Sequence, residues 1–410
     1  MNDGPLHNIR VVDLGHDYSA PFAATLLADF GADVIAVERP GKGDIMRDVG
    51  PSGPTGPIVW KSAGRGKRSL ALDWKHAKSK PVLEKLVKVS DVLVESYRPG
   101  VLERNGLGPS VLHSWNPDLV ILRVSGYGQT GAYGDRAGFG KAAEAYSGAC
   151  DLSGFPDGPP VHPGFPMADM TTGLMGAYGI MLALRARDKG LARGQVIDLA
   201  LYETLLRLID FHVPVRTALG LVPKRNANRH PLSLALSGMY RSRDGKWITY
   251  SAGSHAVARR VLEIIGGKTF ADEARFGSLR EICRHDDEIH KRMTAWMGER
   301  DAADVLRQFH DARAVAEFIH DVNDILADPN IAARGNVVRF EGESCQVINV
   351  VPRMDKTPGR IRWLGRRQVG EDTVQILTDV LGFDQPAVRD LIDSGAVEAG
   401  AVASPSLPDD

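Results

Sequence analysis

The stretch IRVVDLGHDYSAPFAATLLADFGADVIAVE, residues 9–38, decides the fold class of this chain. Residues 9–14 and residues 33–38 are short apolar runs of the kind that form buried strands. Between them, residues 21–31 carry apolar side chains at helical spacing and end on Gly31, a residue type that often terminates helices. A strand, a helix and a second strand in close succession are typical of two parallel strands joined by a crossover helix. The stretch therefore predicts an α/β fold.

The same alternation continues along the next part of the chain. Apolar runs at residues 69–73, 91–96 and 118–125 predict further strands, and residues 76–88 predict a helix between the first two of them. Residues 195–211 are typical of a strand that runs into one long helix. We therefore expect a Rossmann-like parallel sheet covered by helices.

The sequence changes character after about residue 225. Residues 239–253 predict a β-hairpin with its turn at Asp244–Gly245, and charged amphipathic helices follow between about 254 and 322. A β-like pair is expected near residues 336–351. The pattern predicts three segments, which are a large Rossmann-like domain with a long linker helix at 1–224, a smaller α+β domain at 225–330, and a return to the large domain with a frayed tail at 331–410.

Composition argues against several classes of protein. The 410 residues include 50 Lys and Arg against 51 Asp and Glu, and the formal net charge of -1 argues against a nucleic-acid-binding protein. Three cysteines without CxxC spacing argue against a disulfide framework or a thiolate zinc site, and favour a reducing compartment. The first residues lack the apolar core of a signal peptide, and no run of about 18 apolar residues predicts a membrane span. We therefore expect a cytoplasmic protein without a membrane or nucleic-acid partner.

Nucleotide and metal motifs are weak in this chain. Residues 15–21, the first βα turn, lack the G-x-G-x-x-G phosphate loop, although Glu38 ends the second strand where such folds hold a ribose. Residues 126–131 match that motif, but we expect a loop and not a helix after them, which disfavours nicotinamide binding. His285 and His290 are five residues apart and so do not share a helix face. We therefore predict no metal site.

Seven stretches spread over nearly the whole chain carry a resemblance to a known family. They are residues 13–44, 66–75, 91–108, 122–133, 168–173, 184–203 and 365–383. In this order they resemble the class III (family III) CoA-transferases, a superfamily shared with formyl-CoA transferases, carnitine CoA-transferases and α-methylacyl-CoA racemases. The resemblance implies an enzyme whose co-substrate is coenzyme A in the form of an acyl-CoA thioester. It also implies an interlocked homodimer, in which each chain threads through a ring formed by the other.

Asp169 is the only acid in FPMADMTTGLMGAYGIMLAL, residues 165–184, which otherwise has the composition of a buried helix. The resemblance implies that this aspartate, in the motif ADMTTG, is the catalytic nucleophile. A carboxylate that attacks an acyl-CoA thioester forms a mixed anhydride and then an aspartyl-CoA thioester, from which CoA passes to a second acid. Both intermediates react with water, so an enclosed apolar setting suits the chemistry. From the residues alone, a helix N-cap is the simpler explanation of Asp169.

The resemblance also implies a set of CoA contacts, made of cations for the phosphates, an aromatic ring for the adenine and smaller groups. The set is His16, Tyr18, Arg39, Leu72, Lys75, Ser96, Tyr97, Arg98 and Arg104. Arginine suits phosphate because its forked guanidinium is permanently charged, and Tyr97 is expected to cover a face of the adenine. His16 and Tyr18 are expected near the thioester end of CoA. Taken singly, each cation is also explained as a solvated surface residue.

Three departures from the oxalate-specific members bear on the acceptor acid. Formyl-CoA:oxalate transferases have Gln in place of Tyr18, Glu in place of Gly140, and a run of glycines where this chain has residues 225–238. Oxalate is therefore disfavoured as the acceptor. Arg229 and His230 are candidates to bind the distal carboxylate of a dicarboxylic or branched acid, with solvated loop cations as the alternative.

Two other functions stay open. A 2-methylacyl-CoA racemase needs an acid/base group on each face of the substrate, and the resemblance places Phe139 where racemases have a histidine. Lys141 is a possible substitute, but we expect it on a loop, in solvent or on a CoA phosphate. A non-catalytic CoA-binding protein is the second alternative. The function that the sequence favours is CoA transfer from an acyl-CoA thioester to a free carboxylic acid.

Overall fold

The computed structural model describes residues 4–227, 229 and 235–400. The chain forms two compact units, and the domain ranges expected from the sequence stay a prediction. The larger unit comprises residues 1–147, 163–208 and 331–410, and the smaller unit comprises residues 148–162 and 209–330. Within the described part of the chain, no helix combines the length and the apolar character needed to span a membrane.

The secondary structure alternates strands and helices through most of the larger unit. In chain order, the strands are β1 (Arg10–Asp13), β2 (Asp33–Glu38), β3 (Ser52–Gly53), β4 (Gly56–Pro57), β5 (Lys67–Leu72), β6 (Val92–Glu95), β7 (Val120–Ser125), β8 (Val196–Ala200), β9 (Leu236–Arg241), β10 (Trp247–Ala252), β11 (Val315–Phe318), β12 (Val337–Arg339), β13 (Gln346–Ile348) and β14 (Val397–Glu398). The helices are α1 (Ser19–Asp29), α2 (Ile58–Ala63), α3 (Lys80–Lys88), α4 (Val101–Arg104), α5 (Pro109–Trp115), α6 (Gly140–Tyr146), α7 (Met167–Asp188), α8 (Leu201–Leu208), α9 (His212–Leu219), α10 (His255–Ala271), α11 (Leu279–Arg284), α12 (Asp286–Gly298), α13 (Ala302–Asp311), α14 (Val322–Ala327), α15 (Pro329–Ala333), α16 (Thr373–Gln375) and α17 (Gln385–Asp393). Two helices depart from regular geometry, since α10 is kinked at Gly267 and α16 continues as a π-helical turn at Ile376–Val380.

Among the described residues, a seven-stranded sheet forms the centre of the larger unit, with the strand order β14-β5-β2-β1-β6-β7-β8. Neighbouring strands run parallel except at one edge, where β14 is antiparallel to β5. The chain leaves β1 first in one direction and then in the other, as in doubly wound nucleotide-binding folds. The predicted α/β fold with a mostly parallel, Rossmann-like sheet is confirmed. Because the order reverses between β1 and β6, the carboxyl ends of these two strands border the crevice where such folds bind ligands.

The outer edge of β5 is closed by residues from the far end of the chain. β14 pairs with β5 over two residues. The Ser69 amide donates a hydrogen bond to Asp372 Oδ2 at 2.8 Å, and the Ala71 amide donates to Thr373 Oγ1 at 3.0 Å. Backbone donors in this strand are therefore satisfied by side chains 303 and 302 residues further along the chain.

Glycines allow α7 to pack closely on α1 and β7. A Cβ built on Gly173 would lie 2.8 Å from the Ser19 carbonyl oxygen, and one built on Gly176 would lie 2.7 Å from Leu122 Cδ2. Real Cβ atoms do not approach other atoms this closely, so a side chain at Gly173 would displace backbone and one at Gly176 would displace the Leu122 side chain. The first turns of α7 are therefore held next to the beginning of α1, which follows the first βα turn.

The smaller unit contains an antiparallel sheet in the order β11-β10-β9. The predicted hairpin is confirmed, because Gly245 takes a φ of +84° in the turn between β9 and β10. Tyr250, Phe276 and Phe309 are buried in the core of this unit. In the larger unit, the β-like pair expected near residues 336–351 is confirmed as the antiparallel pair of β12 and β13.

The single long helix expected within residues 195–211 is wrong. The strand β8 is followed by α8, which ends at Leu208, and α9 begins separately at His212. Pro214 explains the break, because a proline has no N–H to donate to the carbonyl of Asp210 and its ring would clash with that carbonyl in a continuous helix.

Candidate active site

The carboxyl ends of the parallel strands bring several predicted CoA contacts together. A cavity of about 570 Å³ lies at this edge of the sheet in the larger unit, and His16, Arg39, Leu72, Lys75 and Tyr97 all line it. His16 follows β1 and Arg39 follows β2, two adjacent strands. Leu72 ends β5 and Tyr97 follows β6, the strands on either side of that pair. The position is the one where doubly wound folds bind nucleotides.

The walls of this cavity offer the two kinds of group that CoA needs. Arg39, Lys42 and Lys75 supply positive charge for phosphates. Trp74 and Tyr97 form an aromatic wall, with ring centroids 5.2 Å apart and a hydrogen bond of 3.2 Å from Trp74 Nε1 to Tyr97 Oη. Burial raises the pKa of Tyr97 to about 12, so its hydroxyl stays neutral. Sequence reasoning missed Trp74, and its place beside Lys75 in the chain was the only available signal.

Glu38 is not available to hold a ribose. Its Oε1 accepts hydrogen bonds from Arg47 Nη2 at 2.8 Å and from Ser69 Oγ at 2.5 Å, and its side chain is buried. The Asp44 amide donates to the other carboxylate oxygen at 3.0 Å. The carboxylate therefore anchors the loop that follows β2, and the larger unit lacks the ribose-binding acid of dinucleotide folds at this position.

Asp169 lines a second cavity of about 220 Å³, which shares His16 and Tyr97 with the first. Ser96 and Arg98, from the segment after β6, also line it. Through Tyr97 and His16 the two cavities are adjacent. A ligand that extends from the first cavity past these two side chains meets the carboxylate of Asp169.

The local structure around Asp169 is the first turn of α7. The helix begins at Met167 and its N-cap position is Pro166, so the N-cap explanation of Asp169 is wrong. Asp169 is the third helical residue. In this turn the helix dipole favours the ionised form of a carboxylate.

Burial opposes the helix dipole and raises the pKa of Asp169 to about 6. The nearby carboxylates of Asp17 and Glu144 act in the same direction, whereas Lys141 and the backbone N–H of Asp169 lower this pKa. Asp17 lines the same cavity and has a φ of +68°, which is uncommon for any residue other than glycine. Sequence reasoning missed Asp17, because a strained backbone conformation leaves no pattern in the chain.

Gly140, the first residue of α6, lies directly against the carboxylate of Asp169. A Cβ built on Gly140 would come closer to Asp169 Oδ2 than real Cβ atoms approach any atom. A similar approach occurs between Gly126 and Gly138, which both line the cavity, because a Cβ on either would lie 2.7 Å from the Cα of the other. These glycines allow close packing around Asp169. As expected, residues 132–139 form a loop and not a helix.

The remaining predicted contacts occupy varied positions. The Ser96 hydroxyl accepts a hydrogen bond of 3.0 Å from the His16 amide and so joins the segments after β6 and β1. Tyr18 lines a neighbouring cavity of about 340 Å³ with Phe22 and other residues. Arg104 is exposed on α4, outside the lining of the cavity of about 570 Å³, which we call the CoA cavity after the contacts that the resemblance implies, and of the Asp169 cavity. The roles of Tyr18 and Arg104 in binding CoA stay predictions.

Arg229 belongs to the smaller unit and forms ion pairs there. Its Nη1 is 2.8 Å from Asp286 Oδ2 and 2.7 Å from Asp287 Oδ1. His230 lies outside the described residues. The predicted contact of these two residues with the acceptor acid stays a prediction.

Lys141 does not lie on the expected loop, because it is the second residue of α6. The sequence of this helix, GKAAEAY, combines alanines with a Lys and a Glu three residues apart, both of which favour a helix. Lys141 Nζ is 3.0 Å from Glu144 Oε2 and 2.9 Å from the Pro163 carbonyl oxygen. Its ammonium is therefore engaged within the larger unit.

A family model described as CoA-transferase family III matches residues 6–373 of the chain. The chain belongs to CoA-transferase family III. This CoA-transferase is similar to the succinyl-CoA–L-malate CoA-transferase beta subunit of Chloroflexus aurantiacus, with 38% identity over 393 residues that cover 94% of this chain and 96% of the relative. It is 36% identical to the succinyl-CoA–D-citramalate CoA-transferase of the same organism, with 93% of this chain and 95% of the relative covered.

The fold of this CoA-transferase is similar to that of a solved structure. The crystal structure of a CAIB/BAIF family protein from Brucella suis matches with a TM-score of 0.80 at 27% identity, and the match covers 92% of this chain and 99% of that one. The resemblance drawn from the seven stretches is confirmed, as are the predicted class of enzyme and the use of a CoA thioester as co-substrate. A non-catalytic CoA-binding protein is therefore disfavoured.

The raised pKa of Asp169 predicts how the activity of this CoA-transferase depends on pH. The resemblance implies that Asp169 is the nucleophile, a role that requires the ionised carboxylate, and with a pKa of about 6 its ionised fraction falls as the pH drops through that value. We expect kcat/KM for the acyl-CoA donor to be nearly constant from about pH 7 to 8 and to fall about tenfold per pH unit below about pH 5.5. Thioester exchange assayed across this range measures the effect, and CoA affinity measured in parallel separates binding from chemistry. A pH profile in which kcat/KM falls to half of its plateau only near about pH 4, the pKa of an ordinary aspartate, would contradict the expectation.

Proposed function

We propose that this CoA-transferase moves CoA from an acyl-CoA thioester to a free dicarboxylic acid through covalent intermediates on Asp169. The observation that carries the proposal is the position of this carboxylate in a cavity that shares His16 and Tyr97 with the CoA cavity. A thioester at the end of a CoA molecule bound in the first cavity lies within reach of the nucleophile in the second.

The proposed reaction begins with attack by a carboxylate oxygen of Asp169 on the thioester carbonyl. The carbon–sulfur bond breaks, CoA leaves as the thiolate, and a mixed anhydride of Asp169 and the donor acid forms. The thiolate then attacks the aspartyl carbonyl, which releases the donor carboxylate and leaves an aspartyl-CoA thioester. The acceptor carboxylate reverses these two steps, so that the new acyl-CoA departs and Asp169 is ionised again. No net proton is consumed.

The environment of Asp169 supports this chemistry. A pKa of about 6 leaves the carboxylate ionised at neutral pH but makes it more basic than an ordinary aspartate, which favours nucleophilic attack. Gly140 brings backbone close to the carboxylate, and Gly126 and Gly138 pack against each other in the lining of the same cavity. Exclusion of water protects the anhydride and thioester intermediates from hydrolysis.

We propose succinyl-CoA as the donor and a C4 or C5 dicarboxylic acid as the acceptor. Support comes from the names of the relatives, which act on succinyl-CoA with L-malate or D-citramalate. Within the larger unit, Arg98 lines the Asp169 cavity and presents a guanidinium suited to a carboxylate or a phosphate. The proposed roles of Arg229 and His230 in the smaller unit rest on the resemblance alone.

The racemase alternative requires a second acid/base group that faces Asp169 across the substrate. Phe139 lines the cavity at the position where the racemases have a histidine, and a phenyl ring cannot carry a proton. Lys141 Nζ interacts with Glu144 and with two carbonyl oxygens, which disfavours it as a substitute base. These positions favour transfer over racemisation.

We also propose that the protein assembles as the interlocked homodimer implied by the family. In the larger unit, Leu174, Tyr178 and Leu182 recur every fourth residue on α7 and are more than half exposed. An apolar stripe of this kind on a long helix is typical of a protein–protein interface. This chain matches relatives named as beta and alpha subunits at 38% and 34% identity, so an assembly of two kinds of subunit is the alternative.

A donor–acceptor screen with the chain purified alone tests the proposed function. We expect transfer of CoA from succinyl-CoA to L-malate, D-citramalate or glutarate, seen as the new acyl-CoA by mass spectrometry. The same assay in deuterium oxide with (2R)-2-methylacyl-CoA is expected to leave the 2-position unlabelled, because Phe139 lines the cavity where the racemases have a histidine. Deuterium uptake at a rate comparable to turnover would overturn the transferase proposal. Activity that appears only after a second type of subunit is added would overturn the homodimer.

A further inference from the structure

The first turn of α6 contacts Asp169 on one side and the segment before α7 on the other. Gly140 lies against the Asp169 carboxylate, and the next residue, Lys141, is not among the residues that line the Asp169 cavity. Lys141 Nζ donates to the carbonyl oxygens of Pro163 at 2.9 Å and Phe165 at 3.4 Å. The carbonyl of Phe165 also accepts a hydrogen bond of 2.8 Å from the Met167 amide, where α7 begins.

Glu144 completes this arrangement from the next turn of α6. Its side chain is fully buried, whereas that of Lys141 is half exposed, and both carboxylate oxygens lie 3.0–3.2 Å from Lys141 Nζ. A buried carboxylate favours a nearby cation, and Lys141 supplies one here. We call the two side chains, together with the Pro163 and Phe165 carbonyls, the Lys141–Glu144 clamp.

We propose that the Lys141–Glu144 clamp is a positioning device that fixes the start of α7, and with it the Asp169 carboxylate, against the cavity. The inference rests on the proposed role of Asp169 as the nucleophile. A single lysine ties α6 to the segment that enters α7, two residues before the helix begins and four before the nucleophile. Attack on a thioester tolerates little misplacement of the attacking oxygen, so loss of the clamp lowers the rate of acylation and not the affinity for CoA.

The clamp also contributes to the charge around the nucleophile. The ionisable groups near Asp169 come from three elements, namely His16, Asp17 and Tyr18 in the turn after β1, Arg98 after β6, and Lys141 and Glu144 on α6. Lys141 favours the ionised form of Asp169 and Glu144 opposes it. Lys141 and Glu144 carry opposite charges, so removal of Lys141 alone makes the local charge more negative by one unit, whereas removal of both members leaves the sum of the two charges unchanged.

The test compares Lys141→Met, Lys141→Arg and the double variant Lys141→Met/Glu144→Gln with the wild type. Succinyl-CoA is the probe, and hydroxylamine traps the acylated aspartate for mass spectrometry in single-turnover experiments. We expect Lys141→Met to slow acylation about tenfold with KM for succinyl-CoA changed less than about twofold. The pH at which kcat/KM falls to half of its plateau on the acidic side, which we call the acid-limb midpoint, should rise by about half a pH unit in Lys141→Met. The acylation rate of Lys141→Arg should stay within about threefold of the wild-type rate. In the double variant the acid-limb midpoint should return to the wild-type value.

Three results would overturn the clamp. The first is a wild-type acylation rate and a wild-type acid-limb midpoint in Lys141→Met. The second is a rise in KM for succinyl-CoA in Lys141→Met without a change in its acylation rate. The third is a double variant whose acid-limb midpoint stays raised. Circular dichroism checks that each variant is folded. If Lys141→Met is not folded, Lys141→Arg decides the test. Arginine retains the positive charge, so a raised acid-limb midpoint in Lys141→Arg would contradict the proposal. A wild-type enzyme that traps acyl groups on a residue other than Asp169 would instead refute the proposed function.

Discussion

Replacement of Asp169 by Asn is expected to lower kcat for CoA transfer by at least about 10³-fold, because the amide fills the same space but is a poor nucleophile. CoA should still bind with an affinity near that of the wild type, since the residues that line the CoA cavity are unchanged. Steady-state transfer assays and calorimetric titration with CoA measure the two quantities. Retention of most of the activity would rule out Asp169 as the site of the covalent intermediates.

The same substitution has an expected effect on stability, which serves as its control. The pKa of Asp169 is raised in the folded protein, so its ionisation destabilises the fold; this penalty is absent below about pH 4, develops as the pH rises from about 4 to about 6, and is complete above that range. We expect Asp169→Asn to be more stable than the wild type by about 2 kcal/mol at pH 8, with the difference lost near pH 4. Urea unfolding at the two pH values measures it. A variant that is inactive and destabilised at pH 8 would point to misfolding and not to lost chemistry.

Replacement of Gly140 by Ala is expected to reduce kcat about 100-fold through sterics alone. The added methyl group overlaps Asp169 Oδ2, so either the carboxylate rotates out of its position or α6 moves away from α7. The charges near the site stay the same, so the acid-limb midpoint is expected to move less than the rate. Hydroxylamine trapping with succinyl-CoA measures the loss at the acylation step.

A matched control is Gly298→Ala, at the last residue of α12 in the smaller unit. A Cβ on Gly298 would meet no atom within 4 Å, and the backbone there is compatible with alanine. We expect wild-type kcat and equal or slightly greater stability. If Gly140→Ala transferred CoA as fast as this control, the close contact between Gly140 and the nucleophile would not matter for catalysis.

Most of the sheet of the larger unit could be predicted from sequence because β1, β2, β5, β6 and β7 are mostly buried. Such strands appear as continuous apolar runs, and the residues that follow them are placed at one edge by parallel topology alone. His16, Arg39, Leu72 and Tyr97 therefore come together as expected. Arg104 was assigned by resemblance only and lies outside the lining of the two cavities.

The contacts immediately around Asp169 could not be predicted from sequence. Asp17 and Gly140 reach Asp169 from different elements, and no periodic pattern links residues that meet only after three segments have packed together. The placement of Lys141 on a loop was wrong because its neighbour Gly140 looked like part of a glycine-rich loop. Pro214 indicates the break between α8 and α9, but it lies just beyond the stretch that was interpreted as one helix.

The closure of β5 by the far end of the chain has a consequence for the order in which the protein folds during synthesis. The amides of Ser69 and Ala71 find their partners only after residues 372 and 373 have been made, and β14 pairs with the strand later still. A nascent chain that has left the ribosome up to α8 therefore carries an open strand edge, which is the kind of surface that pairs with other chains. Leu72, at the end of this strand, is part of the CoA cavity. The cavity that Leu72 lines is thus bordered by a strand whose edge is closed only after residues 372 and 373 have been made, although Leu72 is encoded near the beginning.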